Sequence, residues 1–572
     1  MQLKPDYLNG SLELGKSLAQ LGRRNEAIET FKAALELDPT DSRLLLQLGQ
    51  MAKKQENLEE ARQWYEKAYE QDQKSPQVFC ELAQAMFQDE EAEQAISLLQ
   101  QGQTLLPNAV QISLKLANLN ERLGRFEESQ KILEKTQTQF PHQLQVNLNL
   151  ARLQIRVGNL EAASQILREI VTDHPDQRKQ IEILQGDIAF CQFELGEAKL
   201  HYQRAIQISP EKLHQAEQTK LAQILMLEGE LESAYHYLQE AANQKLTQDP
   251  TNKGTPLRSH PAKLIDEFRL NPLLLQQLQK AQAKSGRDKI LALGEVVAQD
   301  PCYIGSGIQL VAELHQQGIF KKLSQALPNG KITQSRIPKR IVQFWDSPDL
   351  PLGIGTLCRT WQEKKPTFEY YRFSLRSAAG FIKHYYRDEV FQAFRHCSHP
   401  AMQSDFFRLA YLYKMGGFYA DADDLCRQSL EPLVSLNAEL VLFQEAFMPT
   451  LANGFIGCMP NHNIIRYALD EAVESLLSYS AESAWFTTGP GLITRSFCSQ
   501  LLPYLAQTDY QEWPRIAVLT AEEISQFVGY SIGLPYKNTP KSWLYQEYKQ
   551  QKSNIPRPTR EGASQLKTDV SD

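Results

Sequence analysis

Asp421 and Asp423 are carboxylates two positions apart, a spacing that can hold a divalent cation. They follow Phe418-Tyr419-Ala420, a short run with strand character, which places them at the exposed end of a strand. Clustered carboxylate oxygens suit Mg2+ or Mn2+, ions that also bind diphosphate oxygens and neutralise their charge as a leaving group departs. Alone, the D-x-D spacing is weak, because acidic loops are common.

The neighbouring residues sharpen it. Asp405 and Arg408 are three apart, hence on one face of a helix whose apolar rows are Phe406, Leu409, Ala410 and Tyr413. Ser404 reads as the cap of that helix, and Gly416-Gly417 as its end. Residues 337–345 form a second strand candidate, lying between a proline and an Asp-Ser-Pro turn. Trp345 then sits at a strand end, a favourable place to stack a planar base.

Taken together, the segment SDFFRLAYLYKMGGFYADADD resembles the DXD-containing sugar-transferase domains of fungal initiating mannosyltransferases, bacterial capsule enzymes and large clostridial toxins. Ser404, Asp405, Arg408, Leu412, Gly416, Gly417, Tyr419, Asp421 and Asp423 match that family's pattern position by position. IPKRIVQFW resembles its first strand, and NGFIGCMPNH at 453–462 and TTGPGLITR at 487–495 resemble its later blocks. The resemblance implies a nucleotide-diphosphate-sugar donor, Mn2+ or Mg2+, a doubly wound α/β domain of the A-type architecture, and retention of anomeric configuration. It implies that Trp345 stacks on the donor base, that Asp405 and Arg408 hold sugar and phosphate groups, and that Asn453 contacts the donor sugar. Asp421 would face ribose or a metal-bound water, and Asp423 would ligate the metal directly. Near the end the family's histidines are replaced by Lys537 and Asn538, while Ser542 and Trp543 still match. Asn538 is accordingly expected as a metal ligand, and Ser542 and Trp543 as donor-binding residues.

Two routes to retention remain open at this level. A covalent intermediate needs a carboxylate on the far face of the sugar, for which Glu445 is available. Same-face attack, with the leaving phosphate taking the proton, needs no protein base and is favoured. The chain has no G-x-x-x-x-G-K-[ST] phosphate loop, no G-x-S-x-G elbow and no H-E-x-x-H helix. The competing expectation is an inactive transferase-like repeat scaffold for protein interaction.

What carries this domain is a second, repetitive half. Ala27, Ala61, Ala95, Ser129 and Ala163 recur every 34 residues, as do Pro107, Pro141 and Pro175. Gly15, Gly49, Ala83, Ala117 and Ala151 are small residues of a first helix, and Phe31, Tyr65, Leu99, Leu133 and Leu167 fill the space between helices. The pattern resembles tetratricopeptide repeats. With Ala198 and Ala234 continuing the series, it gives about seven units over 8–243. Stacked units of this kind form a solenoid with a concave face suited to a protein partner.

The expected architecture is thus an all-α repeat solenoid followed by an α/β A-type glycosyltransferase domain: repeats over 8–243, a helical cap or linker over 244–330 with a loop at 248–261, the transferase over 331–550 and a flexible tail over 551–572. A length of 572 residues supports several cores, and a formal net charge of -7 offers no general attraction to nucleic acid. The eight cysteines are dispersed without a C-x-x-C pair, which favours free thiols in a reducing compartment. The N-terminus has charges where a signal peptide needs its apolar stretch, and no run suffices for a spanning helix. The expected location is cytoplasmic, or peripheral to a membrane assembly, with a glycan, lipid or protein as acceptor.

Overall fold

A computed structural model of the protein describes residues 5–208, 215–248, 265, 267–269, 271–320, 335–363, 367–444, 450–478, 483–507, 512–530 and 532–538. The expected loop from 249 to 261, Glu445, Ser542, Trp543 and the tail over 551–572 lie outside these residues.

Seven successive helix pairs run from Pro5–Gln20 and Arg24–Leu37 to Gln215–Glu228 and Leu231–Gln248. The 34-residue pattern builds them directly. Ala27, Ala61, Ala95, Ser129, Ala163, Ala198 and Ala234 are all at most 2% exposed, because each lies where a neighbouring helix crosses closely. The small residue of the first helix faces the large residue of the second: a Cβ on Gly186 would stand 2.6 Å from the Tyr202 ring. Side-chain caps begin several of these helices, with Asp41 accepting from Arg43 and Leu44 and Ser75 accepting from Val78 ahead of Pro76.

The chain divides into two compact units. One contains the repeats up to Leu153 together with the segment beginning at Gly533; the other spans Gln154–Ile532. In the second unit the later repeats, the helices Pro272–Gln282, Gly286–Gln299 and Ile304–Gln316, and the α/β portion share one apolar core. That core joins Tyr202 and Leu225 to Leu293, Val311, Phe407 and Ile456. Gly307 lets helix Ile304–Gln316 approach helix Pro490–Leu505, where the Cys498 thiol reaches the Gly307 carbonyl at 3.5 Å. The region expected as a cap or linker is therefore docked onto the α/β portion by its helices, not loosely tethered.

The α/β portion is a mixed six-stranded sheet. Its strands are β1 (Arg340–Phe344), β2 (Glu369–Phe373), β3 (Gly417–Ala420), β5 (Leu440–Gln444), β6 (Leu451–Cys458) and β7 (Ile516–Leu519), in the order β2-β1-β3-β6-β5-β7. A separate pair is formed by β4 (Leu425–Cys426) and β8 (Val528–Gly529). β1 runs parallel to β2 and β3, whereas β6 is antiparallel to β3 and β5. Side chains alternate across the sheet as the strand period demands. Val342, Phe344, Tyr419, Leu442 and Ile456 join the large core, while Ile341, Phe418, Ala420, Val441 and Phe455 join a second core with Trp361 and Leu433. The α/β fold follows the expectation, and the first strand is shorter than the 337–345 stretch. None of the eight cysteines is disulfide-bonded, and no described helix is long and apolar enough to cross a membrane.

Candidate active site

The helix Pro400–Met415 delivers Asp405 and Arg408, and its start differs from the expectation. His399 is the cap, accepting from the Met402 amide with Pro400 in the first turn. Ser404 therefore lies inside the helix, where its hydroxyl meets the Tyr419 hydroxyl at 2.6 Å. The helix ends at Gly416-Gly417, where both residues have positive φ, 65° and 110°. A Cβ on Gly416 would stand 2.9 Å from the Cys458 carbonyl oxygen, and one on Gly417 2.8 Å from that of Arg340. The double glycine thus turns the chain straight into β3 between β1 and β6, a path other residues cannot follow without strain.

β3 ends at Ala420, so Asp421 emerges beside the start of β6, its amide donating to the Gly454 carbonyl at 2.9 Å. β1 holds it from the other side. The buried Gln343 amide donates to the Asp421 carbonyl at 2.9 Å and accepts from the Tyr370 hydroxyl at 2.8 Å. Helix Leu352–Glu363 pins the loop that follows: Trp361 Nε1 donates to the Asp424 carbonyl at 2.8 Å, and the Thr360 hydroxyl accepts from the Cys426 amide at 3.0 Å. Trp345 follows β1 at this same end of the sheet, half-buried, its amide donating to the Phe373 carbonyl at 2.9 Å.

At the centre sits the Arg408 guanidinium, with a side chain only 3% exposed. It pairs with Asp405 at 2.9 Å and with Asp421 at 2.8 Å, donates to the Ser404 hydroxyl at 3.2 Å and to the Asn453 carbonyl, and lies 4.4 Å over the Tyr419 ring. Burial disfavours its charge, but Asp421, Tyr419 and Asp405 outweigh that and hold it firmly protonated. The Asp421 carboxylate also accepts from the Tyr419 hydroxyl at 3.1 Å.

Asp405 is the meeting point of three sequence blocks. It accepts from the Asn453 amide at 2.9 Å and from the Thr488 hydroxyl at 3.3 Å, in addition to its ion pair with Arg408. Burial pushes its carboxyl up to about 7; Asp421 adds to the shift, while Arg408, Thr488 and Asn453 oppose it. Near neutral pH this group therefore exists in both protonation states.

The structure thus brings Asp405, Arg408, Asp421 and Asn453 into contact, with Asp423 two residues on in the pinned loop and Trp345 at the same sheet end. Sequence reasoning missed Tyr419 as a functional hydroxyl, Thr488, Gln343 and the buried Asp424, which shares the field on Arg408 with Asp405 and Asp421. It also missed Gly454, where a Cβ would stand 3.0 Å from Asp421 Oδ2. Pro535–Asn538 forms one 3-10 turn and belongs to the compact unit of the early repeats; the Asn538 side chain lies outside the described residues.

A divalent cation suits this donor set. Three carboxylates act on the one guanidinium of Arg408, which leaves an excess of negative charge for a cation to offset. Among the described residues no three Asp, Glu, His or Cys side chains are gathered as a complete metal cage. Mg2+ in nucleotide sites needs none, taking one or two carboxylates and completing its shell with phosphate and water.

Three segments of the chain match known families. Residues 354–440 match the family described as glycosyltransferase sugar-binding region containing DXD motif, and residues 12–76 and 124–188 match tetratricopeptide repeats. The chain is similar to the initiation-specific alpha-1,6-mannosyltransferase of Candida albicans, 28% identical over 18% of this chain and 29% of that protein. It is similar to the enzyme of the same name from Saccharomyces cerevisiae, 29% identical over 20% of this chain and 25% of that protein. A mannosyl phosphorylinositol ceramide synthase of Saccharomyces cerevisiae is 25% identical over 34% of this chain and 49% of its own length. The chain therefore spans less than half the length of these curated relatives. Among solved structures, PaToxG glycosyltransferase is 18% identical over 38% of this chain and 92% of its own, with a TM-score of 0.25. A tetratricopeptide repeat protein from Parabacteroides merdae is 17% identical over 42% of this chain and 85% of its own, with a TM-score of 0.32. The chain carries tetratricopeptide repeats and a DXD-containing glycosyltransferase region.

Proposed function

We propose that the protein transfers a sugar from a nucleotide-diphosphate-sugar to an acceptor hydroxyl, with retention of anomeric configuration. The observation that carries this reading is the buried Arg408 centre, which ties Asp405, Asp421 and Asn453 from three elements into one arrangement at the sheet end that also holds Trp345. Asp405 and Asn453 orient the sugar hydroxyls, and Trp345 stacks on the base. Arg408 is too buried to reach a phosphate directly, so it acts as a positioning residue that fixes both carboxylates. Asp423, with Asp421, would hold a Mn2+ or Mg2+ ion, which would neutralise charge on the departing diphosphate. In the step itself the acceptor oxygen bonds to the anomeric carbon as the bond from that carbon to the diphosphate oxygen breaks. The acceptor proton passes to the leaving phosphate, so no protein base is required.

The relatives named for mannosyl transfer make mannose nucleotides the first donors to try. We assign repeats to 8–243, a helical linker to 244–330 and the transferase to 331–550, with the segment from Gly533 also serving the repeats. The repeats recruit a protein partner or acceptor, and the location we favour is cytoplasmic. The test is donor binding: a nucleotide sugar should raise the melting temperature of the wild-type chain only when Mn2+ or Mg2+ is present, and Asp423→Ala should remove that shift. Equal stabilisation of the variant would contradict the assignment of Asp423.

A further inference from the structure

The first helices of the third and fourth repeats, Pro76–Gln88 and Val110–Arg122, pack directly on one another. The second helices of the same repeats, Ala92–Leu105 and Phe126–Gln139, make no comparable contact among the described residues. A stack whose first helices crowd together while its second helices spread is curved, with the first helices lining its inner face. That inner face is not bare. The turn Pro535–Asn538 packs on helix Pro76–Gln88, and Gly533 approaches Arg122, to whose Cγ and Nε a Cβ at 533 would stand 3.7 Å. Leu534 is 1% exposed and Pro535 is buried, so the contact is a seated one.

Charge at this seat is unfinished. The Arg122 guanidinium lies 4.3 Å over the fully buried ring of Phe87 and has no carboxylate partner among the described residues. Burial lowers its pKa with no acidic group opposing it. Residues 533–538, Gly-Leu-Pro-Tyr-Lys-Asn, offer no acid either. The seated segment therefore fits the face in shape and apolarity but brings no carboxylate to Arg122.

We propose that the inner face of the third and fourth repeats is a peptide-binding groove which the chain fills with its own residues 533–538, and which a protein partner enters by displacing them. The partner it fits is a segment with an apolar–proline pair in place of Leu534 and Pro535, turning as residues 535–538 do, and a carboxylate for Arg122. Displacement would free Lys537 and Asn538, the residues that the transferase reading matches to the donor site; only this consequence rests on that reading, because the test below measures binding and not activity.

The probe is a fluorescein-labelled peptide of residues 532–538 carrying Gly533→Asp, which sets a carboxylate beside Arg122, titrated into the full-length chain. The wild type should bind it weakly because the groove is occupied in cis, while Leu534→Lys, a buried charge of the same sign as Arg122, should bind at least about ten-fold more tightly, by the fraction of open groove it gains. Leu534→Ala should fall between the two, and it carries the test if the lysine variant does not fold. Arg122→Ala in the opened background should remove the gain. Equal affinity across the chains, no binding to any of them, or a gain that survives Arg122→Ala would overturn the proposal.

Discussion

Replacing Arg408 by methionine removes a charge while keeping most of the side-chain volume, and its cost can be worked from the contacts. The guanidinium pairs with Asp405 and Asp421 and donates to Ser404 and to the Asn453 carbonyl. Summing about 1.5–3 kcal/mol for each hydrogen bond involving a charge overshoots, because such bonds are not independent. Breaking a buried pair by removing one partner costs about 3–5 kcal/mol. Two features favour the low end: the Asp421 side chain is 32% exposed, so water can replace part of the lost partner, and Asp405 can escape its unpaired charge by taking a proton. The expected loss is about 3 kcal/mol at pH 6, and more at pH 8, where protonating Asp405 is itself costly. The assay is thermal unfolding at both pH values, followed by tryptophan emission, since four of the six tryptophans, Trp345, Trp361, Trp485 and Trp513, lie in the Gln154–Ile532 unit. A chain with two compact units need not unfold in one step, and Trp64→Phe/Trp543→Phe in the background confines the signal to that unit. The melting midpoint should fall by about 4 °C at pH 6 and further at pH 8. Arg408→Lys should fall between, because one ammonium cannot fork to both carboxylates and the carbonyl. A methionine variant melting within about 1 °C of wild type at both pH values would refute the view that Arg408 holds the site together.

Three further outcomes follow from the same geometry. Asp405 titrates near 7 in the folded chain against about 4 unfolded, so between these values the folded chain holds a proton that the unfolded one has released, and stability falls as pH rises through that window. Melting profiles from pH 5 to 8 should therefore decline in wild type relative to Asp405→Asn, with a ceiling of about 3 kcal/mol over that range; parallel profiles would show that Asp405 is an ordinary carboxylate. Gly454→Ala puts a Cβ 3.0 Å from Asp421 Oδ2, and should cut donor turnover at least about ten-fold through a sub-ångström displacement of that carboxylate, with melting changed little. Gly186→Ala sets a Cβ 2.6 Å from the Tyr202 ring, so circular dichroism on heating should register about 1–3 kcal/mol of lost stability.

Much of this was legible in the chain itself, for physical reasons. A 34-residue period is visible because every unit must place a small residue at the same close crossing, and Ala27 through Ala234 do so. The helix, double glycine and D-x-D run is local in sequence, so its geometry could be reasoned from spacing alone. Asp405 is different: its partners Asn453 and Thr488 are 48 and 83 residues away, and only the antiparallel return of β6 and the placement of the TTGPG block bring them together. Gln343 holding the Asp421 carbonyl depends on β1 lying beside β3, a pairing that no local pattern announces. Ser404 looked like a cap because serine before a helical run usually is one, but Pro400 starts the helix a turn earlier and frees Ser404 to meet Tyr419. The association of residues 533–538 with the early repeats was invisible for the same reason as the Asp405 network, since more than 400 residues separate Arg122 from Gly533.

The most direct test of sugar transfer is donor turnover. The full-length chain is incubated with a panel of UDP- and GDP-sugars and Mn2+ or Mg2+, and released nucleoside diphosphate is followed beside the Asp421→Ala/Asp423→Ala double variant. Release from one donor by wild type, lost in the folded double variant, is the predicted result. Equal release by the double variant, or wild type that neither turns over nor binds any donor with metal present, would contradict it and leave a repeat scaffold with a transferase fold.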